Sequence, residues 1–184
     1  MAAASWASDV ATWFPAEATV GDGASGLDRA FGLRPDLYGP FREFYAVFWR
    51  DQLVDPVVLE LCRLRVAQLL GCASEMDVRY GQATAGGLTE TMVDALAQWP
   101  TSECFDDAQR AALAFAEQFV IDPQGIRGPV RDELRRHFEV PEVVALTEAL
   151  ALFDGFTRFR LVLGVDASTG PTTVDPVALD APLP

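Results

Sequence analysis

Apolar residues recur along this chain at helical rather than strand spacing. In PDLYGPFREFYAVFWRD (residues 35–51) aromatic side chains stand at 41, 44, 45, 48 and 49, an i, i+3, i+4, i+7, i+8 stripe. The stretch DPVVLELCRLRVAQLLG (55–71) opens on an Asp-Pro pair suited to an N-cap and first helical position, and stops at Gly71. The same period predicts helices over roughly 73–86, ending at Gly86-Gly87, and over 89–98 behind Thr89. Further helices are predicted over 106–122 up to Pro123, over 129–138 and over 141–164. The last is long and mostly apolar, so a central position is expected for it. Strand-like alternation is nearly absent. The prediction is an all-α fold, a helical bundle of about seven helices joined by short loops.

The ends differ from the middle. Residues 1–34 are rich in Ala, Gly and Asp, and Trp6, Trp13 and Phe14 suggest an extension packed on the domain. Residues 35–164 form the helical domain. Residues 165–184 are rich in Pro and Thr and read as a coil tail. The chain is long enough for one domain with a real core. The aromatic richness of 35–51 exceeds what one small core buries, which predicts subunit assembly.

Composition narrows the chemistry. The net charge of −13 repels phosphate backbones, so nucleic acid is not expected as a partner. The first 28 residues hold no Lys or Arg, Asp9 and Glu17 interrupt any apolar run, and no stretch reaches the ~18 uncharged residues of a membrane span. A cytoplasmic protein without a membrane partner is expected. Cys62, Cys72 and Cys104 are irregularly spaced and imply no disulfide framework. All 14 basic residues are Arg. Without Lys there is no Schiff base, no lysine-bound pyridoxal phosphate and no Walker-type loop. The single histidine, His137, excludes a multi-histidine metal site within one chain, and near a helix C-terminus it reads as structural. No GxGxxG or GxSxG occurs. Carboxylates, arginines, thiols, tyrosines and backbone remain, with no cofactor and no metal expected.

Those groups gather in GCASEMDVRY (71–80). If 73–86 is one helix, Cys72, Glu75 and Arg79 share a face, and Cys72 sits at the helix N-terminus where free N–H groups favour a thiolate. Glu75 opposes that charge. Glu75 and Arg79 at i, i+4, or Glu60 and Arg63 at i, i+3, are equally ordinary helix pairs, and Cys72 is equally a small buried residue. Asp154 and Arg158 lie one turn apart on the long apolar helix, where charges need partners or a wet cavity.

ELCRLRVAQLLGCASEMDVRY (60–80), with FAEQFVIDP (115–123) and LTEALALFDGFTRFRLVLG (146–164), resembles the carboxymuconolactone decarboxylase and alkylhydroperoxidase D-like family. The likeness covers roughly residues 35 to 164, and LRVAQLLGC is its strongest feature. Redox members of that family carry Glu, eleven residues, then C-x-x-C-x-x-x-H. On this chain Glu60 matches the glutamate and Cys72 the first cysteine, while Glu75 stands at the second cysteine and Arg79 at the histidine. Decarboxylase members carry a Glu four residues before a His, so Glu75 fits that branch and Arg79 fits neither. The resemblance also implies that Arg158 lies near the site and that subunits assemble as dimers, trimers or hexamers.

Three readings follow. The first is a cofactor-free acid–base enzyme, a decarboxylase, isomerase, hydratase or cyclase acting on a small carbonyl or carboxylate compound. Glu75, Cys72 and Glu60 would be its catalytic groups, and Arg79, Tyr80, Asp154 and Arg158 its substrate contacts. The second is a thiol-dependent hydroperoxidase using Cys72, which without a second thiol stops at sulfenic acid unless an outside reductant intervenes. The third is a catalytically silent member that binds a ligand or scaffolds a complex. A closed pocket separates the enzymes from the third reading, and an open, filled or water-flooded site favours the third.

Overall fold

The computed structural model describes residues 30–165 and 170–177, and its architecture is an all-α bundle. Trp6, Trp13 and Phe14 lie outside the described residues, as does most of the segment expected to be an extension.

Helix α1 spans Pro35–Arg50 and α2 spans Pro56–Leu70. Helix α2 forms where the sequence places it. The Asp55 carboxylate accepts from the Val57 and Val58 N–H groups at 2.7 and 3.4 Å, Pro56 occupies N1, and Gly71 closes the helix at φ +72°. Ten of the fifteen residues of α2 are buried, because two apolar clusters flank it. Val58, Leu59, Cys62 and Val66 face one, and Val57, Leu61 and Leu64 face the other. It packs on α6 (Asp107–Ile121) and α8 (Val140–Leu163). The centre of the bundle is therefore α2 and not the long helix that apolar content favours. α8 buries one stripe, Leu146, Ala149, Leu150, Phe153, Thr157 and Arg160, and leaves Val144 and Val162 about 60% exposed (58% and 62%). The aromatic stripe of α1 also divides: Tyr45 and Trp49 enter the core while Phe44 stays half exposed. No helix among the described residues is long and apolar enough to cross a membrane.

The helix predicted over 73–86 does not form as one piece. Helix α3 is a single turn, Ala73–Asp77, followed by strand β1, Val78–Tyr80, and a second single turn, α4, Gly81–Ala85. Val78 and Tyr80 adopt extended backbone, φ −84°, ψ 139° and φ −87°, ψ 131°. Two causes act together. Val and Tyr favour strands, and distant groups satisfy the backbone that a helix would have paired locally. Arg63 donates to the carbonyls of Glu75 and Val78 at 2.9 and 2.7 Å, and the Tyr80 N–H donates to Glu60 at 3.1 Å. The tail read as coil supplies the rest: Thr172–Val174 forms β2, parallel to β1, with Val78 opposite Thr172. Helices α5 (Glu90–Ala95) and α7 (Pro129–His137) complete the set.

Candidate functional site

Four charged side chains meet inside the bundle, all at most 3% exposed: Glu60, Arg63, Glu75 and Arg160. Glu60 and Arg63 stand one turn apart on α2, α3 carries Glu75 inward, and Arg160 comes from the buried stripe of α8. Arg63 is the hub. Its Nε and Nη2 form a fork on the Glu60 carboxylate at 2.8 Å each. Its Nη1 donates to Glu75 Oε2 at 2.6 Å and to the Glu75 carbonyl at 2.9 Å. Nη2 also donates to the Val78 carbonyl at 2.7 Å. A guanidinium has five N–H groups, and all five have acceptors here. Arg160 Nη1 takes the other Glu75 oxygen at 2.9 Å. Two carboxylates thus face two guanidiniums and the cluster is charge-balanced. Burial opposes the charge on Arg63, but the Glu60 and Glu75 carboxylates outweigh it and hold its pKa well above the ordinary arginine value.

An aromatic layer covers this cluster. The Arg63 guanidinium lies 4.7 Å from the Tyr80 ring centroid, a cation–π contact. The Tyr80 and Tyr45 hydroxyls are 3.0 Å apart, and Trp49 packs edge-on to Tyr80 with centroids 4.5 Å apart. Burial raises the pKa of both phenols above the ordinary tyrosine value.

The residues singled out from sequence therefore separate. Glu60, Glu75 and Tyr80 come together. Cys72 is fully buried at the N-cap of the one-turn α3, with its Sγ 3.6 Å from the Ser74 hydroxyl. Cys72, Glu75 and Arg79 do not share a helix face, because the helix ends at Asp77. Arg79 turns away from Glu75 and clamps Glu90 through Nε and Nη2, both at 2.9 Å. Asp154 and Arg158 pair with each other on the outer side of α8, Arg158 being half exposed, and so need no wet cavity. His137 ends α7 and meets Glu133 at 3.2 Å. Cys62 is buried, and its thiol is pushed up to about 12 by desolvation.

Sequence reasoning missed Arg160 and gave Arg63 only a local role. The signal was present: 146, 149, 150, 153, 157 and 160 are spaced as one helical stripe, which puts Arg160 inside and leaves 154 and 158 off it.

The cavities formed by the described residues include three that lie elsewhere. A small apolar one lies beside Val47, Phe48 and Leu59, and a polar cleft is lined by Asp55, Glu103 and Cys104. An apolar groove of 380 Å³ runs between α1 and α8 past Phe41, Phe156 and Gly155. Glu60, Cys72 and Glu75 line none of the three. Among the described residues no group of His, Cys, Asp or Glu is arranged to hold a metal ion.

Comparison with known proteins gives this cluster a context. Residues 35–118 match the profile of the carboxymuconolactone decarboxylase family. An uncharacterized protein of Escherichia coli (strain K12), YnjA, is 28% identical over 114 residues, covering 62% of this chain and 63% of that one. The uncharacterized protein Rv2313c of Mycobacterium tuberculosis is 30% identical over 127 residues, covering 69% of this chain and 44% of that one. The chain thus spans less than two thirds of the length of these curated relatives. The crystal structure of a protein of unknown function from Agrobacterium tumefaciens, ATU0492, superposes with a TM-score of 0.63 at 18% identity, over 78% of this chain and 96% of that one. That likeness is one of fold.

Proposed function

We propose, from the match of residues 35–118 to the carboxymuconolactone decarboxylase family, that the chain works by binding or scaffolding, without turnover at the family's site position. One observation carries this reading: the position is filled. Both Glu75 oxygens are taken by guanidiniums, both Glu60 oxygens are taken by Arg63, and all of these groups are buried. An acid–base catalyst needs its carboxyl within hydrogen-bond reach of a substrate proton, and here internal partners hold those lone pairs. A thiol peroxidase needs an accessible thiolate and a second thiol. Cys72 is buried, Glu75 stands at the second position, and Cys62 is held protonated by burial. The cluster instead does structural work, tying α2, α3, β1 and α8 together.

The test is intact mass after an organic hydroperoxide, with and without dimedone, on wild type and Cys72→Ser, together with dithiol-driven peroxide consumption. The expected result is no Cys72-dependent adduct and no turnover. A Cys72-dependent sulfenic adduct with dithiol-driven consumption would establish the peroxidase reading instead. Turnover of a small carbonyl or carboxylate compound that disappears in a folded Glu75→Gln variant would establish the acid–base reading.

A further inference from the structure

Strand β1 has two unlike edges. Along an extended strand, the N–H and C=O groups of alternate residues point to opposite sides. The Val78 carbonyl and the Tyr80 N–H point to the same side, where Arg63 Nη2 donates to the first at 2.7 Å and Glu60 Oε1 accepts from the second at 3.1 Å. The Glu60–Arg63 pair thus presents one donor and one acceptor at strand spacing, as a neighbouring strand would. The Arg79 N–H and C=O are left for the other edge, where β2 lies parallel with Arg79 opposite Thr173.

The two edges differ in strength. The inner one is held by buried, charge-assisted hydrogen bonds. The outer one is a two-stranded parallel ladder of three residues, the weaker ladder type and too small to be stable alone. Thr172, Thr173 and Asp175 are exposed, Val174 and Val177 are half-buried, and Pro176 is buried. A clip from Gln82 Nε2 to Asp175 Oδ1 at 2.7 Å sits at the surface. Val174 and Val177 rest on the main core cluster, so the hold on the segment is these two side chains, Pro176, a three-residue ladder and exposed hydrogen bonds, a small set that opens at low free energy.

We propose that residues 172–177 form a strap that detaches from β1 as one unit while the helical body, with its buried ion cluster, stays folded. Detachment frees the backbone edge at Arg79, the residue standing where the family's relay histidine is expected, and uncovers the rim of the aromatic layer beside Tyr80. The fold thereby carries an opening device next to a site that is closed at rest. This inference is independent of whether the site turns over a substrate.

Native-state amide exchange of the full chain, followed by NMR at rising sub-denaturing denaturant, tests it. The Arg79 and Val174 amides should exchange about 100-fold or more faster than the Tyr80 amide, with little denaturant dependence, while Tyr80 tracks the α2 core. Gln82→Ala should speed Arg79 by a further ~2- to 10-fold and leave Tyr80 unchanged. A common rate for Arg79, Val174 and Tyr80, equal to that of the core, would show that β2 leaves only on global unfolding and would overturn the proposal. So would a Gln82→Ala effect that is equal at Arg79 and Tyr80.

Discussion

Replacing Arg63 with lysine keeps the charge of the buried cluster and removes its geometry. In the native protein five N–H groups of Arg63 serve five acceptors: Glu60 Oε1 and Oε2, Glu75 Oε2, and the carbonyls of Glu75 and Val78. An ammonium has three donors and no fork. At least two of the five hydrogen bonds must break. Glu60 Oε1 and the Val78 carbonyl keep a second donor, in the Tyr80 N–H and Arg79 Nη1, but no single point charge can chelate Glu60 while reaching Glu75. A hydrogen bond to a charged group contributes about 1.5–3 kcal/mol, and breaking a buried pair costs about 3–5 kcal/mol. Arg63→Lys should therefore cost about 3–5 kcal/mol, a large share of the roughly 5–15 kcal/mol that holds a domain together. Urea unfolding followed by far-UV circular dichroism measures it as a lower midpoint with an unchanged m value. Arg131→Lys is the control. Arg131 and its partner Asp132 are both more than half exposed (58% and 55%), so the cost there should be about 1 kcal/mol or less. A loss below about 1 kcal/mol at Arg63 would refute the view that this guanidinium braces the fold, and would reopen the cluster as a catalytic one.

Glu75→Gln leaves Arg63 and Arg160 facing one carboxylate and should cost about 3–5 kcal/mol by the same urea titration. Arg158→Ala removes an i, i+4 pair from a half-exposed side chain and should change stability by about 0.5 kcal/mol or less, checked as a shift in thermal midpoint. Of the three thiols, Cys104 should react with a disulfide reagent in the native state, whereas the buried Cys62 and Cys72 should react only on unfolding; rapid labelling of all three would contradict the packing. The Cys62 thiol, pushed up to about 12 from 9.0, keeps its proton in the native state while the unfolded chain releases one. Stability should consequently fall as pH rises from about 9 towards 12, and Cys62→Ala should show a shallower fall over that range in paired denaturation series.

The helices and their ends were legible because their signals are local. Asp55-Pro56 and Gly71 bound α2 as their side-chain and backbone chemistry requires, and Asp106, whose carboxylate accepts from the Gln109 N–H at 2.8 Å, opens α6 in the same way. The stretch 73–86 was illegible for the opposite reason. Its apolar spacing suits a helix, but Glu60, Arg63 and residues 172–174 decide its backbone, and each lies more than ten positions away. The expected pairing of Glu75 with Arg79 was lost at the same point. Spacing placed Arg79 beside Glu75 only on the premise of a continuous helix, and once Val78–Tyr80 extends, Arg79 points to Glu90 and the partner of Glu75 must come from elsewhere. Arg63 is one such partner, and the other, Arg160, is 85 positions away, its place on the buried stripe of α8 being the trace it left in the sequence. An arginine on a buried stripe has to find carboxylates inside. In a chain whose cations are all arginine, a fork that can satisfy carboxylates and backbone carbonyls together is what lets β1 interrupt a helix with the Val78 carbonyl and the Tyr80 N–H both paired. Arg63→Lys and Glu75→Gln should accordingly loosen β1 along with the cluster, raising the exchange rate of the Tyr80 amide that Gln82→Ala leaves untouched.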